Sequence, residues 1–528
     1  MDTDVLIVGA GPTGLMLANQ LARRGVRALI IDRHAGPAQQ TRALGVQART
    51  LEIYAHLGIV DRALELGKRG TGANVWADGR KTARLPLGDA GRSVTPYPYI
   101  LILGQDDNER IMGERLNRSG LTVQWNTELK ALTQHADHAR ATLANTDGTT
   151  REISAAWVAG CDGAHSAVRE SNGIAFDGAP YEHVFFVADV EVTGNMVPEE
   201  VNIYLWQQGF HLFFPMRGTD HWRIVGIVPP ELRSKADLDF DAVMPSVRGE
   251  AGSLVFKACT WFSTYRIHHR CARQLRDQRC FLLGDAAHIH SPVGAQGMNT
   301  GLQDAYNLAW KLALVVHQRA DPALLDSYEA ERLPVAKRLL ATTDRAFRVV
   351  VSDSWWAGLL RTKVLARVGA LALRRESVQG LAFRTVSQTG IHYRGSGLSM
   401  ASEAMPGGAP QAGDRFPWLK LQLDADAATQ DIFERLNDIR FHLLVFGAPA
   451  PDVAALPIAD MLDVSMVARS AANDAELARV AIPTPSYYLL RPDGHVGLCG
   501  WRVDTGAMAR YITERLRMSA TPPSRPSP

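Results

Sequence analysis

The chain has 528 residues, 46% hydrophobic and 21% charged, the balance of a soluble globular protein too long for one ordinary core, so two or three cores are expected. With 57 Lys and Arg against 55 Asp and Glu it has no field suited to gathering nucleic acid or an anionic membrane, and no apolar run approaches the roughly 18 residues of a membrane span. Cys161, Cys259, Cys271, Cys280 and Cys499 are scattered, with no C-x-x-C pair, which argues against a disulfide framework, a zinc site or a dithiol centre and fits a reducing cytoplasm.

The opening DVLIVGAGPTGLMLANQLARRGVRALIID predicts a strand, a glycine turn, an amphipathic helix and a second strand ending at Asp32, a βαβ unit. Helical spacing follows from Leu51 to Leu66 and from Asp107 to Arg118, then short β segments with a turn at Asp147-Gly148. Residues 181–274 are strand-rich, with a hairpin turn at Gln208-Gly209, and predict an antiparallel sheet inserted between two parts of the first domain, 1–180 and 275–385. RCFLLGDAAHIHSP re-enters that domain as a buried strand, and a helix follows it. Residues 390–413 are dense in Gly, Ser and Pro and predict a linker, residues 400–518 a small α/β domain, and residues 519–528 a disordered tail.

Gly9, Gly11 and Gly14 form G-x-G-x-x-G: the first permits the tight turn, the second lets a pyrophosphate approach the backbone, and the third lets helix and strand pack closely. Asp32, at the end of the next strand, suits an adenosine ribose, but such an acid does not separate FAD from NAD. Two distant segments add to the motif. DGAHSAVRE holds Asp162, Gly163, Ser166 and Arg169, and GDAAHIHSPVGAQGMNTGLQDA begins at Gly284 with a strand end, a glycine loop and a helix start.

These three segments, in this order, resemble the single-component FAD-dependent aromatic hydroxylases, the para-hydroxybenzoate hydroxylase-like group. RALGVQARTLEIY and LGQDDNERIM resemble its phenol, chlorophenol and polyketide branch. The resemblance implies an α/β fold: a Rossmann-type FAD-binding domain, an inserted antiparallel-sheet substrate domain and a small C-terminal thioredoxin-like domain in which Cys499 stands alone. It also implies that Asp285 binds the ribityl chain, that Gly294 to Asn299 lie under the isoalloxazine ring, that Arg42 and Gln105 touch the phosphates and ribityl region, and that Asp162 touches both cofactors. Arg33 stands beside the adenosine acid, and the amides of Gly297, Met298 and Asn299 open a helix whose positive end favours the negative charge of a reduced flavin.

The reaction so implied uses NADPH or NADH and O2 to hydroxylate a small phenolic aromatic through a flavin C4a-hydroperoxide, with no catalytic side chain identified and the chemistry carried by the flavin. The substrate-pocket candidates are Tyr204, Trp206, Phe213, Tyr265, His268 and Pro292; Phe210, Phe214, His211, Gln47 and Tyr54 stand behind them. His288 and His290 lack the carboxylate or thiolate partners of a metal site, so no metal is expected. An FAD oxidoreductase without oxygen insertion, a Baeyer–Villiger oxygenase on the same fold and a non-catalytic flavin-binding protein remain open alternatives, as does a homodimer.

Overall fold

The computed structural model describes residues 1–38, 43–77, 79–206, 209–233, 235, 237–251, 254–289, 296–351, 372, 375–423 and 428–519. Its first sheet is built on Thr3–Val8, a β-branched run whose Val5, Leu6 and Ile7 are wholly buried. This strand pairs in parallel with Ala28–Ile31 on one side and Thr150–Gly160 on the other, and Cys280–Leu282 adds in parallel beyond. Helix α1 (Pro12–Arg23) crosses between the first two strands and buries Leu15, Met16, Leu17 and Leu21. The expected helix from Leu51 is two helices, α2 (Ala48–Leu57) and α3 (Val60–Leu66), because Gly58 takes a left-handed φ of 73° and ends the first.

An eight-stranded second sheet runs, from edge to edge, His288–Ile289, Val255–Ala272, Phe176–Thr193, His221–Ile227, Gly209–Pro215, Val201–Trp206, Ala73–Ala77 and Arg80–Leu85. The last two come from the segment assigned by sequence to the FAD-binding domain. They are recruited because Ala73–Ala77 pairs in parallel with Val201–Trp206, with Val75 opposite Ile203, a long-range pairing that local periodicity does not reveal.

Alternation along the strands gives this sheet two apolar faces. One packs under helix α4 (Phe240–Ala251), where Phe240, Val243 and Val247 meet Trp76, Phe186, Tyr204, Phe213 and Trp222. The other carries Val187, Val201, Phe214 and Val225, with Ile203 and Leu212, against Leu44, Ala48, Ile100 and Ile102 of the first domain.

Helices α5 (Gly297–Val316) and α6 (Asp326–Val351) return to the first domain. A five-stranded mixed sheet follows, ordered Met400–Ala401, Val496–Gly500, Ser486–Leu490, Phe441–Phe446 and Leu462–Val467. One face has its own core of Phe416, Leu419, Ile432, Leu444, Phe446 and Tyr488. The opposite face, with Phe441, Leu443, Val445, Tyr487 and Leu489, merges into the core of the first domain, and the Phe441 ring meets Trp310 of α5 edge-on at 6.1 Å. The stretch expected to be a linker is likewise packed: Tyr393, Ser396 and Leu398 are buried.

Candidate functional site

The glycine turn shows why each glycine stands where it does. Gly9 has φ +102°, and a Cβ there would lie 2.3 Å from the Cys161 carbonyl oxygen; a Cβ on Gly14 would lie 1.9 Å from the Gly9 carbonyl oxygen. Gly11 is different: among the described residues a Cβ there meets nothing within 4 Å, and no side chain caps the helix it opens. An uncapped N-terminus beside open space is a seat for a pyrophosphate. Asp32 braces this turn, its Oδ2 accepting from the Ala10 amide at 2.7 Å and its Oδ1 from the His34 amide at 2.9 Å.

The other two motifs close on the same point. Cβ atoms on Gly284 and Gly301 would lie 2.6 and 2.4 Å from Thr13 Oγ1, so the third motif and the body of α5 press against the first turn of α1. Arg169 joins the second motif to the third: its Nη2 donates to Ala164 O at 2.8 Å, its Nη1 donates to Ala286 O at 3.0 Å, and its guanidinium stacks on Phe176. Asp285, next to Ala286, is exposed, as a ligand-facing group would be, and Arg33 is exposed beside Asp32.

Asp162 Oδ2 accepts from the Val168 amide at 3.2 Å, whereas Oδ1 is buried with no partner among the described residues. Burial raises its pKa. An orphaned buried oxygen in a cofactor groove is a place for a ligand donor. Gln105 opens its helix and donates to Glu109 Oε1 at 2.8 Å, while Glu109 Oε2 accepts from the Ala38 amide at 2.8 Å. Thr13 and Glu109 were given no role by sequence reasoning, since they stand at unspecified positions of G-x-G-x-x-G and of LGQDDNERIM.

At the start of α5, Gly297 and Met298 are half-buried and Asn299 is wholly buried. Asn299 Oδ1 accepts from the Gln47 amide at 2.9 Å and from Thr50 Oγ1 at 2.7 Å, and its Nδ2 donates to Gly45 O at 2.8 Å. The α5 N-terminus is therefore pinned to that of α2. Leu44 and Ala48, beside these residues, belong to the seam with the second sheet, so the α2 N-terminus that holds Asn299 borders the sheet.

The pocket candidates divide. Tyr204 and Phe213 are 1% and 0% exposed; Tyr204 stacks on Trp76, Phe213 meets Tyr204 edge-on, and both pack beneath α4, on the sheet face turned from the seam. The two were expected to line a pocket; helix α4 covers their face instead. His211 shares that side, against Phe186, and burial lowers its pKa to about 3. Tyr265 lies on the seam side with Phe185, Phe210 and Leu212, and burial raises its pKa. Tyr54 is committed to Asn108 Oδ1 at 2.8 Å. Arg42 and Pro292 lie outside the described residues, as do the side chains of Trp206 and His268.

A family model for an FAD binding domain matches residues 2–343. The 6-methylpretetramide 4-monooxygenase of Streptomyces rimosus is 33% identical over 96% of this chain and 92% of its own length. The pentachlorophenol 4-monooxygenase of Sphingobium chlorophenolicum is 33% identical over 86% of this chain and 81% of its own. The structure of aklavinone-11 hydroxylase with FAD and aklavinone superposes with a TM-score of 0.79 at 25% identity, covering 98% of this chain and 99% of that one.

Proposed function

The chain belongs to the FAD binding domain family and is an FAD-dependent, NAD(P)H-using aromatic monooxygenase, and from that premise we propose that it hydroxylates a fused-ring phenol with O2. The observation that carries the choice of substrate is the half-buried apolar part of the sheet face at the seam, where Ile203, Leu205 and Leu212 offer a wall with little polar chemistry. A flat polycycle covers such a wall, whereas a single ring leaves much of it wet. Relatives whose names specify pretetramide, anhydrotetracycline or aklavinone point the same way.

FAD, when bound, supplies hydride acceptance and oxygen activation. The chain's own residues do the rest. Gly11 and the α1 N-terminus receive the pyrophosphate, Asp32 the adenosine ribose, and Asp285 the ribityl chain, while Gly297, Met298 and Asn299 present amides to the ring. Tyr265 presents a hydroxyl on the seam side of the sheet, and burial keeps it protonated. It acts as a donor that orients the phenolic oxygen. The wall excludes water.

The test is to measure NADPH and NADH oxidation by the purified protein with monocyclic phenols, naphthols and tri- or tetracyclic phenols, using labelled dioxygen. Stimulation greatest with fused rings, with one labelled oxygen in the product, is the expected result. Stimulation confined to monocyclic phenols would overturn the substrate class, and products without label would overturn oxygen insertion.

A further inference from the structure

We infer that the C-terminal domain positions the cofactor loop: its segment Arg491–His495 grips both helices whose N-termini meet at Asn299. The inference rests on the assignment of Gly297–Asn299 to the flavin ring.

The first grip is on α2. Between Gln47 and Thr50, the residues that hold Asn299, Arg49 donates through Nη2 to the Asp493 carbonyl oxygen at 2.6 Å and through Nη1 to Glu52 Oε2 at 2.9 Å. Glu52 is in turn held by Arg415, also from the C-terminal domain, and by Thr95 at 2.7 Å. Arg49 and Glu52 are 5% and 2% exposed, so this network is sealed from water. The second grip is on α5. Trp310 Nε1 donates to Asp493 Oδ2 at 3.3 Å, and Lys311 Nζ donates to Glu331 Oε2 at 2.8 Å. Glu331 takes two bonds from Arg491, at 2.6 and 3.0 Å.

Three features favour a positioning role over an independent module. The domain shares a core with the first domain rather than hanging from a linker. Its Cys499 is wholly buried without a cysteine partner, so thiol chemistry has no route to it. Buried ion pairs also add little net stability over apolar packing but fix geometry, because charge-assisted bonds are directional. Asn299 is where that geometry is used: a shift of α2 carries Gln47 and Thr50 with it, and the amides beside the ring follow.

The experiment uses full-length holoenzyme. Arg49→Met keeps the aliphatic volume and leaves Glu52 paired with Arg415; Leu444→Ala, in the C-terminal domain's outer core, is a control that destabilises without touching either grip. Arg49→Met is expected to release FAD faster, alter the visible spectrum of bound flavin and lower product formed per NAD(P)H by about tenfold, as misplacement near an ångström can do. Arg49→Lys is expected to recover part of this, and Leu444→Ala to lower the melting temperature alone. If Arg49→Met does not fold, Trp310→Phe, which loses the bond to Asp493 and keeps an aromatic ring, tests the second grip. Wild-type flavin spectrum, release rate and coupling in the variant that folds would overturn the inference. A wild-type protein that turns over no phenol would count against the functional reading instead, while spectrum and release rate still report the position of the flavin.

Discussion

Arg332 donates its Nε–H to Asp304 Oδ1 at 2.6 Å, and neither side chain has any exposure to solvent. The other carboxylate oxygen takes the Gly284 amide at 3.1 Å and His288 Nε2 at 2.8 Å. Arg332 goes on to the Thr300 carbonyl and the Tyr393 hydroxyl. One buried carboxylate thus fixes both ends of the loop between Gly284 and Thr300, where the flavin ring is proposed to sit.

Asp304→Ala leaves a buried guanidinium without its anion, a defect that costs about 3–5 kcal/mol. Chemical denaturation of the FAD-free protein is expected to show that loss, and the holoenzyme to lose flavin during purification. Unchanged denaturation midpoint and flavin content would remove Asp304 from this role.

Gly11→Ala and Gly14→Ala separate fold from ligand. At Gly14 the methyl has no room beside the Gly9 carbonyl, so little folded protein is expected. At Gly11 the methyl meets only open space, so circular dichroism and melting of the apoprotein are expected to stay within about 1 kcal/mol of wild type. FAD affinity is expected to fall about tenfold or more, because the methyl keeps the pyrophosphate from the backbone. Equal FAD affinity in Gly11→Ala would place the pyrophosphate elsewhere.

Asp285→Ala removes an exposed carboxylate, and FAD is expected to dissociate faster from the variant. Stopped-flow flavin fluorescence reads the rate. Release as slow as wild type would show that Asp285 does not hold the ribityl chain.

Acid is expected to dismantle the grip of the C-terminal domain before neutral-range chemistry matters. Burial alone would raise the pKa of Glu331, but Arg491 and Lys311 outweigh it and hold the carboxyl below its ordinary 4.5; Arg415 and Arg49 do the same for Glu52. A depressed folded pKa means that the unfolded chain binds more protons at low pH. The stabilisation is therefore full above about pH 4.5 and is lost as pH falls below it. Flavin fluorescence and circular dichroism against pH are expected to show FAD release in that window. A holoenzyme equally stable well below pH 4 would contradict the assignment.

His211 offers a negative control for the proton chemistry. With its pKa near 3 and its ring beneath α4, it stays neutral across about pH 5–8, so His211→Gln is expected to leave the shape of the kcat/KM pH profile unchanged. Tyr265→Phe is expected to lower kcat/KM for a phenol by about tenfold, the loss of one hydrogen bond made to substrate. A displaced limb in His211→Gln, or full activity in Tyr265→Phe, would reverse the two roles.

Much of the fold was legible because its signals are local. The βαβ unit reads directly from an apolar strand, a glycine turn and an amphipathic helix, and strands Ala139–Asn145 and Thr150–Gly160 flank the expected turn at Gly148. Pairings between distant segments were not legible. Nothing near Ala73 announces that it will lie beside Val201, and Glu331 gives no sign of its bond to Arg491, 160 residues away. Nothing local to Tyr204 and Phe213 announces that α4 will cover the face they share. The Gly- and Ser-rich stretch after Gly390 looked like a tether, yet Tyr393 and Ser396 turn inward to Arg332 and Glu331.

The two-residue strand His288–Ile289 pairs with Arg270 and Cys271 at the end of the strand that carries Tyr265. The strand proposed to present Tyr265 to the substrate and the lead-in to the proposed flavin loop are thus one piece of hydrogen-bonded fabric. Grafting the inserted sheet from a relative with a different substrate would import a foreign hem at Cys271, so such chimeras gain new specificity only if residues 284–300 travel with the sheet.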